Sequence, residues 1–223
     1  EIEKVPEASR SVVFNICTRQ LVTSSSTALN SYRSMPRLAA AFADEKRLAE
    51  VLDLALEIAN RAAKHSADFL EHTPPVAAAL ARFDDAVADE VLSLARNFAD
   101  RTGGLTAELW QQLPAALDEL SSADAVLLMR HAAEFLDLGG SVTLHFISGG
   151  SDVLKASPQT FNEWRAAALA IAKHGNAVLI AFLRSTPRTY AEFGGGDNTL
   201  AILSVLRLTA RIAELDAESA LAA

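Results

Sequence analysis

The chain has 223 residues, 50% of them hydrophobic and 22% charged, with 10 glycines and a formal charge of −8. That much apolar surface can bury a core and excludes disorder, while an acidic pI near 5.1 excludes a surface that tracks nucleic-acid phosphates with clustered Lys and Arg. Cys17 is the single cysteine, so no intrachain disulfide forms, and no run approaches the roughly 18 apolar residues of a membrane span.

The closest candidate, Ala177 to Leu183, is far too short to span a bilayer and follows Lys173, His174 and Asn176. No secretory leader is evident at the N-terminus. Cys17, in the context Val-Phe-Asn-Ile-Cys, reads as a small buried hydrophobe, which fits a reducing, cytoplasmic setting.

The dominant pattern is internal repetition. A proline or glycine recurs at Pro36, Pro74, Pro114, Gly150 and Pro187, at separations of 38, 40, 36 and 37 residues. Six residues beyond each anchor stands an apolar residue: Phe42, Leu80, Leu120, Ala156 and Phe193. Four or five residues before each stands an aromatic: Tyr32, Phe69, Trp110, Phe146 and Phe182. Self-similarity at a period of about 20–50 residues marks stacked supersecondary units. With Ala- and Leu-rich composition favouring helix, the expected fold is all-α: a right-handed α-solenoid of about five and a half repeats of ~38 residues, between tetratricopeptide and HEAT or armadillo lengths.

In chain order the repeats are expected at 7–43, 44–83, 84–120, 121–156 and 157–196, with a partial unit at 197–223. The whole of 1–223 then forms a single repeat domain, expected to be a piece of a longer chain whose ends are not polar enough to cap a stack. Each unit reads as a long helix, a medium helix and a short third helix, which at Thr186-Pro187 starts with Thr as N-cap and proline in the first helical position. The break between first and second helices falls at Ser24-Ser25-Ser26, His65-Ser66, Gly103-Gly104, Gly139-Gly140 and Gly175. Polar caps mark the unit boundaries at Asp44, Asp84-Asp85, Ser121-Ser122, Ser157 and Asp197. The fourth unit has Gly149-Gly150-Ser151 in place of proline, which predicts a distorted third helix there.

Few residues suggest chemistry. In Asp84-Asp85-Ala-Val-Ala-Asp89-Glu90 the carboxylates have the spacing that holds Mg²⁺ against a diphosphate in isoprenoid synthases. The same acids sit where they would load a helix N-terminus, and no second acidic motif or diphosphate-gripping basic set accompanies them. Among His65, His72, His131, His145 and His174, His131 with Glu134 is the pair that reads as approximating the i,i+3 spacing of helical metal ligands. His65 and His174 each end an Ala-Lys-His triplet and read as partners of a helix C-terminus. Gly194-Gly195-Gly196 lacks the Lys-Ser/Thr of a phosphate loop, and Ser24-Ser25-Ser26 has no preceding strand to make a nucleophile elbow. Cys17 has only Arg19 nearby and reads as inert. Trp164, which lacks an aromatic equivalent in several units, is a candidate surface contact, and Arg96, Arg130, Arg165 and Arg207 a candidate surface stripe.

The stretches Tyr32-Arg-Ser-Met-Pro36, Phe69-Leu-Glu-His-Thr-Pro74 and Phe182-Leu-Arg-Ser-Thr-Pro187 carry a family resemblance. They are similar to the helical-repeat segments of bacterial adaptor proteins that bear a von Willebrand factor A domain. Those adaptors work with MoxR-type AAA+ ATPases in nitric-oxide-reductase and Rubisco activation. The resemblance implies a non-catalytic scaffold whose partner is an AAA+ ATPase or its target; the Asp-x-Ser-x-Ser motif of the adhesion domain is absent.

The leading expectation is therefore a protein-interaction scaffold with no catalytic, cofactor or metal residues. One alternative is an all-helical Mg²⁺-dependent isoprenoid-diphosphate enzyme using Asp84, Asp85 and Asp89. The other is a structural domain that self-associates through its uncapped ends.

Overall fold

The computed structural model describes residues 2–23, 25–42, 44–192 and 199–215. All regular structure among them is helical, as expected: α1 (Arg10–Thr23), α2 (Ser25–Ala41), α3 (Glu45–Leu80), α4 (Asp85–Thr102), α5 (Leu105–Leu117), α6 (Ser122–Phe135), α7 (Gly140–Ala156), α8 (Phe161–Ala172), α9 (Asn176–Glu192) and α10 (Thr199–Leu215). By compactness the chain forms two units, Glu1–Asp118 and Glu119–Ala223.

The boundary caps behave as their chemistry requires. The Asp44 carboxylate accepts from the Lys46 N–H at 2.9 Å and Asp84 from Val87 N–H at 3.3 Å, while the Ser121 hydroxyl accepts from Asp124 N–H at 3.2 Å. Each satisfies a donor that the first turn leaves without an intrahelical acceptor. Ser157 differs: it precedes a 3-10 turn at Pro158–Thr160, its side chain caps nothing, and its Oγ is buried without a partner. Asp197 lies outside the described residues, as do Phe193, Gly194-Gly195-Gly196 and Ser24.

The breaks also fall where small residues stand. Gly103, Gly139 and Gly175 carry positive φ of 26°, 128° and 109°, conformations that a side chain disfavours. The break at His65-Ser66 takes another form. Helical residues continue from Glu45 to Leu80, yet the buried Ser66 hydroxyl donates to the Ala55 carbonyl at 2.9 Å, 11 residues back. A straight helix would separate those residues by about 16 Å, so α3 doubles back on itself and supplies two limbs.

The expected third helix is not formed. Pro36, Pro74 with Pro75, Pro114 and Pro187 lie inside α2, α3, α5 and α9, which run on past them. Proline there removes one helical hydrogen bond instead of starting a new helix. At two of these sites the residue before the proline is a threonine with two side-chain partners. Thr73 donates its hydroxyl to the Phe69 carbonyl at 2.9 Å and accepts the Trp110 indole N–H at 3.0 Å. Thr186 donates to the Phe182 carbonyl at 2.9 Å and accepts the Trp164 indole N–H at 2.9 Å. The Thr before each proline thus ties its own bent helix to a neighbour through an indole.

In the first unit α2 packs on α3, and α3 packs on α1, α4 and α5. Phe69 and Trp110 sit with ring centroids 4.6 Å apart, both fully buried. Helix α4 buries Val87, Val91, Leu94, Ala95 and Phe98 along one stripe at helical spacing.

In the second unit α6 packs on α7, α7 on α9, and α8 on both α9 and α10. Its core is aromatic: Phe146 stacks on Phe135 at 4.0 Å and on Trp164 at 5.0 Å, and Phe161 lies 5.8 Å from Trp164. Trp164 is therefore not the surface contact its sequence context suggested; it is fully buried.

The glycine pair does not distort its helix either. Helix α7 runs unbroken through Gly149 and Gly150, both buried. A methyl at Gly149 would lie 2.8 Å from the Leu183 carbonyl oxygen, and one at Gly150 would lie 2.7 Å from Leu128 Cδ1. Leu183 is four residues before Pro187, so its carbonyl has no helical donor. The absence of a side chain at Gly149 leaves room for that freed oxygen against α7.

Two expectations follow. Gly149→Ala lowers stability by about 1–3 kcal/mol, and Gly150→Ala by less, because a Leu methyl can rotate away and a carbonyl cannot; urea unfolding of each variant checks this order. Thr73→Val strands the buried Trp110 N–H and costs about 1–3 kcal/mol, whereas Thr73→Ser, which keeps the hydroxyl, recovers most of the loss in the same measurement.

Candidate functional site

The acidic motif sits at the start of α4, beside the start of α3, and the structure gives its carboxylates a partner. Arg47, in the first turn of α3, donates to Asp89 at 2.6 Å, to Asp85 at 3.0 Å and to Glu50 at 3.0 Å. Its side chain is only 12% exposed, against 90% and 65% for Asp85 and Asp89. Burial alone would make the guanidinium easier to deprotonate; the bonds to Asp89, Asp85 and Glu50 outweigh that and raise its pKa. Asp84 is committed to the Val87 N–H. The arrangement Mg²⁺ would need is thus held by a guanidinium and a helix cap.

The expected His131–Glu134 pair is brought together, with Nδ1 and Oε1 at 2.8 Å. The second oxygen of Glu134 accepts from Arg165 at 2.6 Å, so one carboxylate bridges an imidazole and a guanidinium. Burial pushes the Glu134 pKa up, but the His131 and Arg165 hydrogen bonds prevail and hold it below the usual range. His65 lies 3.9 Å from Asp68. His145 is kept neutral by burial and by Arg184, while His174 has a buried Nε2 with no partner. Among the described residues no three His, Cys, Asp or Glu side chains form a group able to hold a metal ion.

Cys17 is buried, which raises its thiol pKa and keeps it unreactive. Burial likewise raises Asp152, against the opposing charge of Lys155, and raises Tyr190. The Tyr190 hydroxyl lies 2.7 Å from Thr160 Oγ1, whose own proton goes to the Ser157 carbonyl, so Tyr190 is the donor. The arginine stripe does not stand free: Arg165 reaches Glu134 and Arg207 reaches Glu163 at 3.3 Å, Arg130 is engaged as well, and Arg96 is exposed.

Sequence reasoning missed the pairs that this chain makes at a distance of about one period. Arg19 meets Asp53, 34 residues on; Arg47 meets Asp85, 38 on; Arg82 meets Asp118, 36 on. Arg61 binds both Asp100 and the Ala99 carbonyl, the latter 38 residues on. In the second unit Asn176 donates to the Leu138 carbonyl across 38 residues and Gln159 to Thr199 across 40. Arginines and acids one period apart were the available signal.

Two hollows remain. One of about 200 Å³ lies among residues of α2, α3, α4 and their connections, beside Arg47. Another of about 280 Å³ lies between α8, α9 and α10, lined by apolar groups and by the Thr186 and Tyr190 side chains already bonded to Trp164 and Thr160.

These features define a helical protein whose polar groups mainly join helix to helix. Compared with known proteins, the chain matches no family model, no curated protein and no solved structure.

The Glu134 bridge yields a pH expectation. Its pKa is lower folded than unfolded, so the stability it contributes is present above the unfolded carboxylate pKa and lost as pH falls through the folded value. Glu134→Gln therefore destabilises the protein at pH 7 by under about 1 kcal/mol, since the side chain is partly exposed, and the difference from wild type shrinks as pH falls below the ordinary carboxylate range. Urea melts at pH 7 and at successively lower pH measure it.

Proposed function

We propose that the chain is a non-catalytic protein-interaction scaffold whose helical repeats stack as a right-handed α-solenoid. It acts in the cytoplasm beside a protein partner, an AAA+ ATPase or that ATPase's target. The observation that carries this reading is the engagement of the groups that looked chemical: Asp85 and Asp89 hold Arg47, Asp84 caps α4, and Glu134 binds Arg165 as well as His131. The polar contacts at one-period spacing support the repeat reading, as does the packing of α7 on α9 and of α8 on α10. An acidic surface suits basic protein patches.

A second reading, self-association, is favoured by one observation. Phe14 and Leu21, two turns apart on α1, are 63% and 59% exposed, and Leu200 and Leu208 on α10 are 79% and 57% exposed. Phe14 and Leu21, seven residues apart, fall on one face of α1, and an apolar helix face open to solvent is a surface through which copies can associate.

A pull-down from the source cell lysate, read by mass spectrometry, tests the scaffold. Recovery of an AAA+ ATPase or its target is the expected result. Return of the bait alone, with light scattering that shows mass rising with concentration, supports self-association in its place.

A further inference from the structure

The hollow of about 200 Å³ in the first unit has a chemistry that selects its occupant. Phe42, Leu80 and Phe83, each half-buried, form its walls, with Val51 and Leu92 buried behind them. Asp44, Asp84 and Asp85 stand exposed on its rim. A dry apolar cavity of about 150 Å³ is large enough to admit benzene, so this one accommodates one branched or aromatic side chain.

The rim is negative in excess. Arg47 is shared among Glu50, Asp85 and Asp89, and Lys46 approaches only Glu50, at 3.9 Å. The Asp44 and Asp84 carboxylates have backbone N–H partners in the helix starts they cap. The partial positive charge of those two helix ends, about half an elementary charge each, does not offset the surplus. Arg82 is turned to Asp118 and lies over the Phe83 ring at 5.6 Å, showing that this aromatic face accepts a cation.

We propose that this hollow docks a basic amphipathic segment of a partner protein, one apolar side chain entering between Phe42 and Phe83 while flanking Lys or Arg residues meet Asp44, Asp84 and Asp85. The proposal rests on the scaffold reading and names the chemistry of its partner. Neither half suffices alone: the apolar walls supply contact area and the carboxylates supply selection against acidic chains.

The test is fluorescence anisotropy with the full chain and three labelled peptides: an amphipathic helix of Leu and Lys, its Leu and Glu counterpart, and a Lys-Gly-Ser peptide of equal charge without apolar residues. The Leu-Lys peptide is expected to bind, more weakly as salt rises, and the other two are not. Ala81, exposed at the lip, is replaced by tryptophan to fill the hollow; Ala81→Trp weakens the Leu-Lys peptide by about tenfold or more. Because a variant can misfold, a spin-labelled Leu-Lys peptide is also added to the wild-type chain, where it broadens the amide signals of Ala81 and Phe83.

Equal binding of the Lys-Gly-Ser peptide, unchanged affinity in Ala81→Trp, or broadening elsewhere overturns the proposal. If those fail while wild type and Ala81→Trp recover the same lysate partner, the scaffold reading survives with a different surface. If the lysate yields nothing, the scaffold reading itself has failed.

Discussion

A proline inside a helix bends it, and this chain anchors two such bends in the same way. Thr73 and Thr186, each immediately before a proline, back-bond to the carbonyl four residues earlier and receive a tryptophan N–H from a neighbouring helix. A mid-helix Ser or Thr bonded this way bends its helix slightly, and the indole anchors the bend. The consequences spread outward from there. Trp110 comes to lie on Phe69, Trp164 joins the Phe146 stack, and Gly149 is required where α7 meets the Leu183 carbonyl.

The second organising feature is the set of polar contacts that span roughly one period. Individually they are weak, since exposed ion pairs contribute little net stability. Their effect lies in placement. Arg61 bound to Asp100 and the Ala99 carbonyl, or Asn176 bound to the Leu138 carbonyl, is satisfied only when successive helices sit at one axial offset. Arg47 is the case where more is at stake, because its guanidinium is mostly covered and would be stranded without its acids.

Much of the helix layout was legible because its signals are local. Caps at Asp44, Asp84 and Ser121 and breaks at Gly103, Gly139 and Gly175 act within one turn of chain, and the structure places them as read. The break at His65-Ser66 was legible too, though it is a doubling back within helical residues. The third helix misled because Thr-Pro has the same spelling at a helix start and at a bend inside one; the deciding partner, an indole, comes from distant sequence. Gly149-Gly150 misled for a related reason, since a close helix approach and a distorted helix both call for glycine. Trp164 was misassigned because its hydroxyl partner, Thr186, is 22 residues away. For the candidate site, the acidic motif was visible and its bland reading as helix caps was half the answer. Arg47 supplied the other half, from 38 residues upstream.

The one-period polar contacts described above join residues about forty positions apart, so each closes a short loop at small entropic cost. During synthesis, Arg47 has emerged only 38 residues ahead of Asp85, and Gln159 only 40 residues ahead of Thr199. Each newly exposed stretch finds its partner in the stretch made just before it. Little apolar surface then waits on distant sequence, which limits the interval in which a nascent chain of half hydrophobic residues is open to aggregation.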